Sequence, residues 1–432
     1  MRLAWALMAD ANGGFAVLKT RDFSLFIAAR FLSNIATQML IVAVGWQVYH
    51  ITGSVLDLGL IGLSQFLPFL CLVLFSGHAA DQYDRRVILL LGLCAYFLCS
   101  VTLLGFALSN IGSTLPIFGV LAVYGITRAF QLPAAQSFVP TIVETRLLSN
   151  ALAVNSSTNQ VASITGPSVG GVLYAVAESH GGRNSGASLV YATAAILLMT
   201  AAVLVLLIRK RRAPTPRSSL SWETLLQGIR FVWHRKTVLG AISLDLFAVL
   251  FGGAAALLPA YTRDVLHAGP AVFGYLRAAP GIGAGATALY LAFRPISRHV
   301  GVKMFVGVAA FGVATIVMGL TRQFWVAMIA LVILGVGDMV SVFVRGLLVQ
   351  LEAPDEIRGR VSAVNAVFIG ASNELGEFES GTTAAWFGLV PAIVLGGALT
   401  LTVTFLWARV LFPRLWRMQT FEQLKEYNSD AT

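Results

Sequence analysis

The sequence predicts an all-α membrane protein that crosses the bilayer twelve times, and three observations predict it. Hydrophobic residues make up 57% of the 432 positions and charged ones only 12%, against roughly 25% charged in soluble domains. Apolar runs of membrane length recur along the whole chain, with a mean hydropathy of +0.79. Basic residues, finally, gather in alternate connections between those runs. A lipid-exposed backbone has to satisfy its own hydrogen bonds, so each run is read as a helix of ~20 residues. An outer-membrane barrel would instead show ~10-residue alternating segments, and none is present.

The predicted spans are 23–49, 56–80, 86–108, 114–135, 148–177, 187–208, 238–262, 271–293, 301–320, 324–350, 360–387 and 388–411. The net charge of +10 invites a nucleic-acid reading, but its placement rejects one. Arg85 and Arg86, Arg209 to Arg212, Arg230 to Lys236, Arg294 to Lys303, Arg358 to Arg360 and Arg409 to Arg417 all fall on one side if the spans alternate. The opposite connections hold only Arg183, Arg263 and Arg322. That is the positive-inside pattern, and it puts both termini in the cytoplasm of a multi-pass protein held by anionic lipid.

Residues 1–20 make no convincing signal peptide, because the apolar stretch is short and Asp10 breaks it. Cys71, Cys94 and Cys99 lie in the second and third spans and read as buried, reduced thiols. The six His residues are scattered. No metal or cofactor is expected, and no nucleophile–base pair points to an enzyme.

An internal repeat runs at an offset of 210. Gly125 pairs with Gly335, Ala153-Val154-Asn155 with Ala363-Val364-Asn365, Gly166 with Gly376, and Gly171 with Gly381. The chain therefore reads as two six-helix bundles, residues 1–208 and 238–411, with a cytoplasmic tail at 412–432. The join, 209–237, opens with Arg209-Lys210-Arg211-Arg212, and Pro214 and Pro216 break any helix there. From Ser221, apolar residues Trp222, Leu225, Leu226, Ile229, Val232 and Trp233 recur at helical spacing among basic ones, as in a helix lying in the membrane interface.

Ionisable groups inside a span are costly unless they face a cavity or a partner, so they are the functional candidates. Arg30, Asn34, Thr37 and Gln38 share one face of the first span; Tyr124, Thr127, Arg128 and Gln131 share one face of the fourth. Asp338, Ser341 and Arg345 align in the tenth. The eleventh carries Glu374, Glu377 and Glu379 near its middle, the first two about 20 Å from Arg360 at ~1.5 Å per residue. Glu374, Glu377 and Gly381 share a face, and Glu379 points the other way, which suits a structural role. Three carboxylates in low dielectric cannot all stay ionised, so one can carry a proton. The competing reading is permanent neutralisation by Arg345 or Arg128.

Several motifs resemble those of the major facilitator superfamily of secondary transporters. Gly77, Asp81, Asp84, Arg85 and Arg86 have the spacing of that superfamily's loop between the second and third helices, with Ala79 and Gln82 departing from it. The resemblance implies a cytoplasmic charge gate, which Asp81 and Arg85 would form near Arg360. Gly166-Pro167-Ser168-Val169-Gly170-Gly171 resembles the signature of its proton-driven antiporters, with Ala162 where a further glycine is usual. Arg128-x-x-Gln131 is similar to a motif of its exporters, with Leu132 replacing a glycine. Thr52-Gly53-Ser54, Gln65-Phe66-Leu67-Pro68, Gln227-Gly228-Ile229-Arg230-Phe231-Val232 and Pro354-x-x-x-Arg358-Gly359-Arg360-Val361 are similar to the branch that contains the enterobactin exporter. That likeness implies the major facilitator fold, the bacterial cytoplasmic membrane, a monomer, and proton-driven export of a siderophore or drug-like amphiphile. An importer of the same fold, or a non-transporting receptor, stays open.

Overall fold

In the computed structural model, which describes residues 16–181, 184–209, 229–354 and 357–423, the predicted apolar runs are helices, and no strand occurs among the described residues. The long helices of the first part are α1 (Arg21–Thr52), α2 (Val55–Gln82), α3 (Arg85–Leu108), α4 (Leu115–Ile142), α5 (Leu148–His180) and α6 (Ser185–Leu206). Those that follow are α7 (Lys236–Gly252), α8 (Pro270–Phe293), α9 (Val300–Leu320), α10 (Phe324–Glu352), α11 (Arg358–Phe387) and α12 (Leu389–Leu406), then the short α13 (Pro413–Arg417). Among the described residues nine helical stretches are long and apolar enough to cross a membrane. Outside that group stand α5, α8 and α11, equally long but interrupted by polar residues, proline or glycine.

Two of the short connections turn at a glycine of positive φ. Gly53 adopts a φ of +62° between α1 and α2, and Gly388 a φ of +89° between α11 and α12. L side chains rarely adopt that left-handed region, so glycine lets one helix stop and the next start at once.

One predicted span is not continuous. The run 238–262 is helical only to Gly252; after Gly253 it continues as a 3-10 turn over Ala254–Leu257, a single turn over Leu258–Ala260, and a π turn over Tyr261–Val265. Pro259 cannot donate to the helix ladder, and Gly253 lies against Gly376 of α11. The periodicity of the apolar residues carries no trace of this break. The cysteines also differ from expectation. Cys71 and Cys94 are exposed and only Cys99 is buried, because the first two lie on outward helix faces.

The contacts divide the chain into two compact units. One comprises Met1–Thr52, Ser64–Ser219 and Gly269–Ala278; the other comprises Gly53–Leu63, Leu220–Ala268 and Ala279–Thr432. In the first, α1 packs on α5 and α6, and α3 packs on α4 and α6. Fully buried Ala187, Tyr191, Ala194, Leu198 and Ala201 recur every three or four residues down α6. The three alanines among them let helices approach closely where apolar lipid offers no hydrophobic drive. In the second, α9 packs on α10 and α12, and α7 on α11 and α12. Its core holds Leu244, Phe305, Leu348 and Leu415, rimmed by Phe247, Trp407, Phe412 and Trp416.

Of the proposed interfacial helix, 221–228 lies outside the described residues. The turn 229–234 is helical, with Val232 buried against Val238, Ile242 and Val349 while Trp233 is exposed.

Candidate functional site

In the first unit a polar cluster joins α1 to α5. Asn159 Oδ1 accepts from Asn34 Nδ2 at 2.5 Å and from Arg30 Nη2 at 3.4 Å. The sequence reading placed Arg30 and Asn34 together but missed Asn159. A signal existed: Asn155-Ser156-Ser157-Thr158-Asn159-Gln160 is an unbroken polar run in a membrane-length helix. Gln38, four residues beyond Asn34, faces Gly166, where a Cβ would lie 2.5 Å from Gln38 Cβ. Gly170 faces Met39 in the same way, at 2.9 Å from its Cα. The glycines of the Gly-Pro-x-x-Gly-Gly stretch therefore set how closely α5 can lie on α1. Pro167 O and Gly171 meet Gly274 of α8, where a Cβ on Gly171 would lie 2.9 Å from Gly274 Cα.

The α4 residues divide among three neighbours, α1, α2 and α3. Arg128 lies over the Phe69 ring at 5.2 Å, a cation–π contact. Gln131 is buried and donates to Leu89 O of α3 at 3.1 Å. Tyr124 donates to Thr37 Oγ1 at 2.6 Å and stacks on Tyr96 at 4.2 Å. Arg128 and Gln131, three positions apart, thus meet Phe69 of α2 and Leu89 of α3 respectively.

The charged loop before α3 ties helix ends together. Asp84 caps α3 by accepting from the Arg86 backbone N at 2.9 Å. Arg85 donates to Ser137 O of α4 at 3.2 Å, and Arg86 donates to Val205 O at 3.0 Å and to Leu206 O at the end of α6. Last-turn carbonyls have no partner within their own helix, and a guanidinium satisfies two at once. The surroundings of Gly77 and Gly359 and the side chains of Asp81, Arg358 and Arg360 lie outside the described residues.

In the second unit, Arg345 of α10 forms an ion pair with Asp245 of α7, and both side chains are buried. Ser341 is buried one turn away, and Asp338, a further turn on, is half-buried. The expected line of residues is present, and Asp245 is its missing partner.

The acidic stretch of α11 has two faces, as its spacing requires. Glu377 and Gly381 both turn toward the start of α2. A Cβ on Gly62 would meet Glu377 Oε2 at 2.8 Å, and one on Gly381 would meet Gly59 Cα at 2.7 Å. Glu379, on the other side, accepts from Thr383 Oγ1 of its own helix at 2.7 Å. Glu374 is buried, and Gly376 beside it packs on Val249 and Leu250 of α7. The site therefore offers two carboxylates deep in a helix whose neighbours carry glycine at the points of contact.

The chain matches the family described as "Transmembrane secretion effector" over residues 12–429. The enterobactin exporter EntS of Citrobacter koseri is 26% identical over 409 residues, covering 90% of this chain and 93% of that protein. The multidrug efflux pump Tap of Mycolicibacterium fortuitum is 26% identical over 410 residues, covering 90% and 95%. Among solved structures, a bacterial homologue of the lysosomal transporter Spinster superposes with a TM-score of 0.71 at 16% identity, covering 92% of this chain and 98% of that one. A bacterial homologue of the iron transporter ferroportin superposes at 0.68 and 16% identity, covering 90% and 99%. At those identities the two structures show the fold alone.

Proposed function

The chain belongs to the major facilitator superfamily, in its transmembrane secretion effector family and in the enterobactin-exporter branch, and from that premise we propose a proton-coupled exporter. As a member it is a multi-pass membrane transporter of small molecules and not an enzyme. The proposal adds a direction, a driving ion and a cargo class. Outward movement is supported by the exporter and efflux pump among its relatives. The cargo is a siderophore or another drug-like amphiphile, taken from the cytoplasm across a bacterial inner membrane. The protein works as a monomer, without nucleic acid, and both termini are cytoplasmic.

The observation that carries proton coupling is the pair Glu374 and Glu377, deep in α11, with Glu377 set against the glycine surface of α2. Arg345, named above as one possible permanent neutraliser, is drawn to Asp245. A buried carboxylate that exchanges a proton changes the cost of its own burial, and so biases one packing of its helix over another. Residues 1–208 and 238–411 act as the two rocking halves, crossing the membrane twelve times in all. Arg30, Asn34, Gln38 and Arg128 line the path on the first half; Asp338 and Arg345 steady the second. Asp81 and Arg85 take part in the cytoplasmic gate.

Uptake into inverted against right-side-out vesicles tests direction. Energised accumulation of an amphiphilic dye in inverted vesicles supports export; accumulation in right-side-out vesicles alone identifies an importer.

A further inference from the structure

A cavity lies in the groove between α8, α9 and α10. It encloses about 760 Å³, within the roughly 300–1,000 Å³ of small-molecule sites. Its apolar wall includes Tyr290, Val306, Ile333 and Val336, all exposed on outward helix faces. The floor forms where Gly307 and Gly337 let α9 and α10 touch; a Cβ on Gly307 would lie 2.8 Å from Gly337 O. At one end of the groove stand Arg294 and Lys303, both exposed. Neither makes an ion pair among the described residues, and the sequence holds no Asp or Glu between Asp264 and Asp338. This stretch of the chain therefore offers the two cations no acidic partner of its own.

We propose that this groove binds one anionic phospholipid, with its phosphate between Arg294 and Lys303 and an acyl chain along Tyr290, Val306, Ile333 and Val336. The two ends of the groove suit the two ends of that molecule. Arg grips phosphate through paired N–H donors and Lys adds a compact charge. Basic pockets between spanning helices meet anionic headgroups in the leaflet they face. A soluble anion would leave the apolar length of the groove unused, and a neutral hydrocarbon would leave the cations unmatched.

The purified full-length chain in detergent is titrated with phosphatidylglycerol or phosphatidylcholine, and retained lipid is counted by native mass spectrometry. Phosphatidylglycerol should be retained at least fivefold over phosphatidylcholine. That preference should vanish in Arg294→Gln/Lys303→Gln, and retention should fall in Val336→Phe, which fills the groove. It should persist in Arg414→Gln/Arg417→Gln, an equal loss of charge at residues that do not line the groove. Glycerol 3-phosphate alone should not be retained. Unchanged preference in the first double variant overturns the site. Equal loss in the second double variant reduces it to general charge, and retention of glycerol 3-phosphate identifies a free-anion site instead; either result overturns the lipid assignment.

Discussion

Gly381 of α11 rests directly on the backbone of Gly59 in α2, so that a Cβ on Gly381 would lie 2.7 Å from Gly59 Cα. The same contact is made a second time, between Gly171 of α5 and Gly274 of α8, at 2.9 Å. Gly171 and Gly381 are equivalents in the 210-residue repeat, and each also faces a backbone carbonyl of its neighbour, Pro270 O or Val55 O. Such contacts let two helices approach at backbone distance, with no side chain between them.

Gly381→Val should therefore weaken this packing, since no side chain can move aside from backbone. Overpacking of this kind costs about 1–3 kcal/mol. Transport by the variant should fall about tenfold or more while membrane insertion stays normal, read by surface expression beside efflux. Wild-type efflux from Gly381→Val would show that the contact never has to form tightly.

The Arg345–Asp245 pair should behave as a buried structural pair. Removing one partner, as in Asp245→Asn or Arg345→Met, leaves a buried charge at a cost of about 3–5 kcal/mol. Replacing both, as Asp245→Leu with Arg345→Met, should restore much of the thermal midpoint measured in detergent. A double variant as unstable as the worse single one would mean that the two residues are not coupled.

Asn159→Ala should strip Arg30 and Asn34 of their shared acceptor. Protein yield should change little, since Asn159 is only partly buried, while cargo affinity should drop severalfold in a ligand-stabilisation assay. Unaltered affinity would place the cluster outside the path.

Asp84→Ala should destabilise the start of α3 by about 1 kcal/mol, as expected for a lost helix cap. By contrast Asp81→Asn should leave stability near normal and cut transport heavily, if the loop gates the cytoplasmic side. Comparing thermal midpoints with efflux rates in the two variants separates cap from gate.

Much of this was legible in the residues. Apolar length yielded the helices, because a bilayer imposes it. The motif glycines were legible as contact points, since only close backbone approach requires them so regularly. What the sequence could not reveal was partnership across helices. Asp245, Asn159 and Leu89 O, the partners of Arg345, Arg30 with Asn34, and Gln131, lie tens to over a hundred positions away from them, and no periodicity links such residues. The break at Gly253 escaped notice for a related reason, because apolar residues continue on both sides of it. Cys71 and Cys94 misled because an outward face in lipid is as apolar as a core.

We propose that a proton exchanged on α11 drives transport. Glu377→Gln and Glu374→Gln keep side-chain size and remove the exchangeable charge. Purified wild-type protein in liposomes should export dye at a rate that follows an imposed pH gradient. Glu377→Gln, or else Glu374→Gln, should bind the dye with near wild-type affinity and show no response to the gradient. Efflux that still follows the gradient in both variants would contradict the account and move the coupling site off this helix.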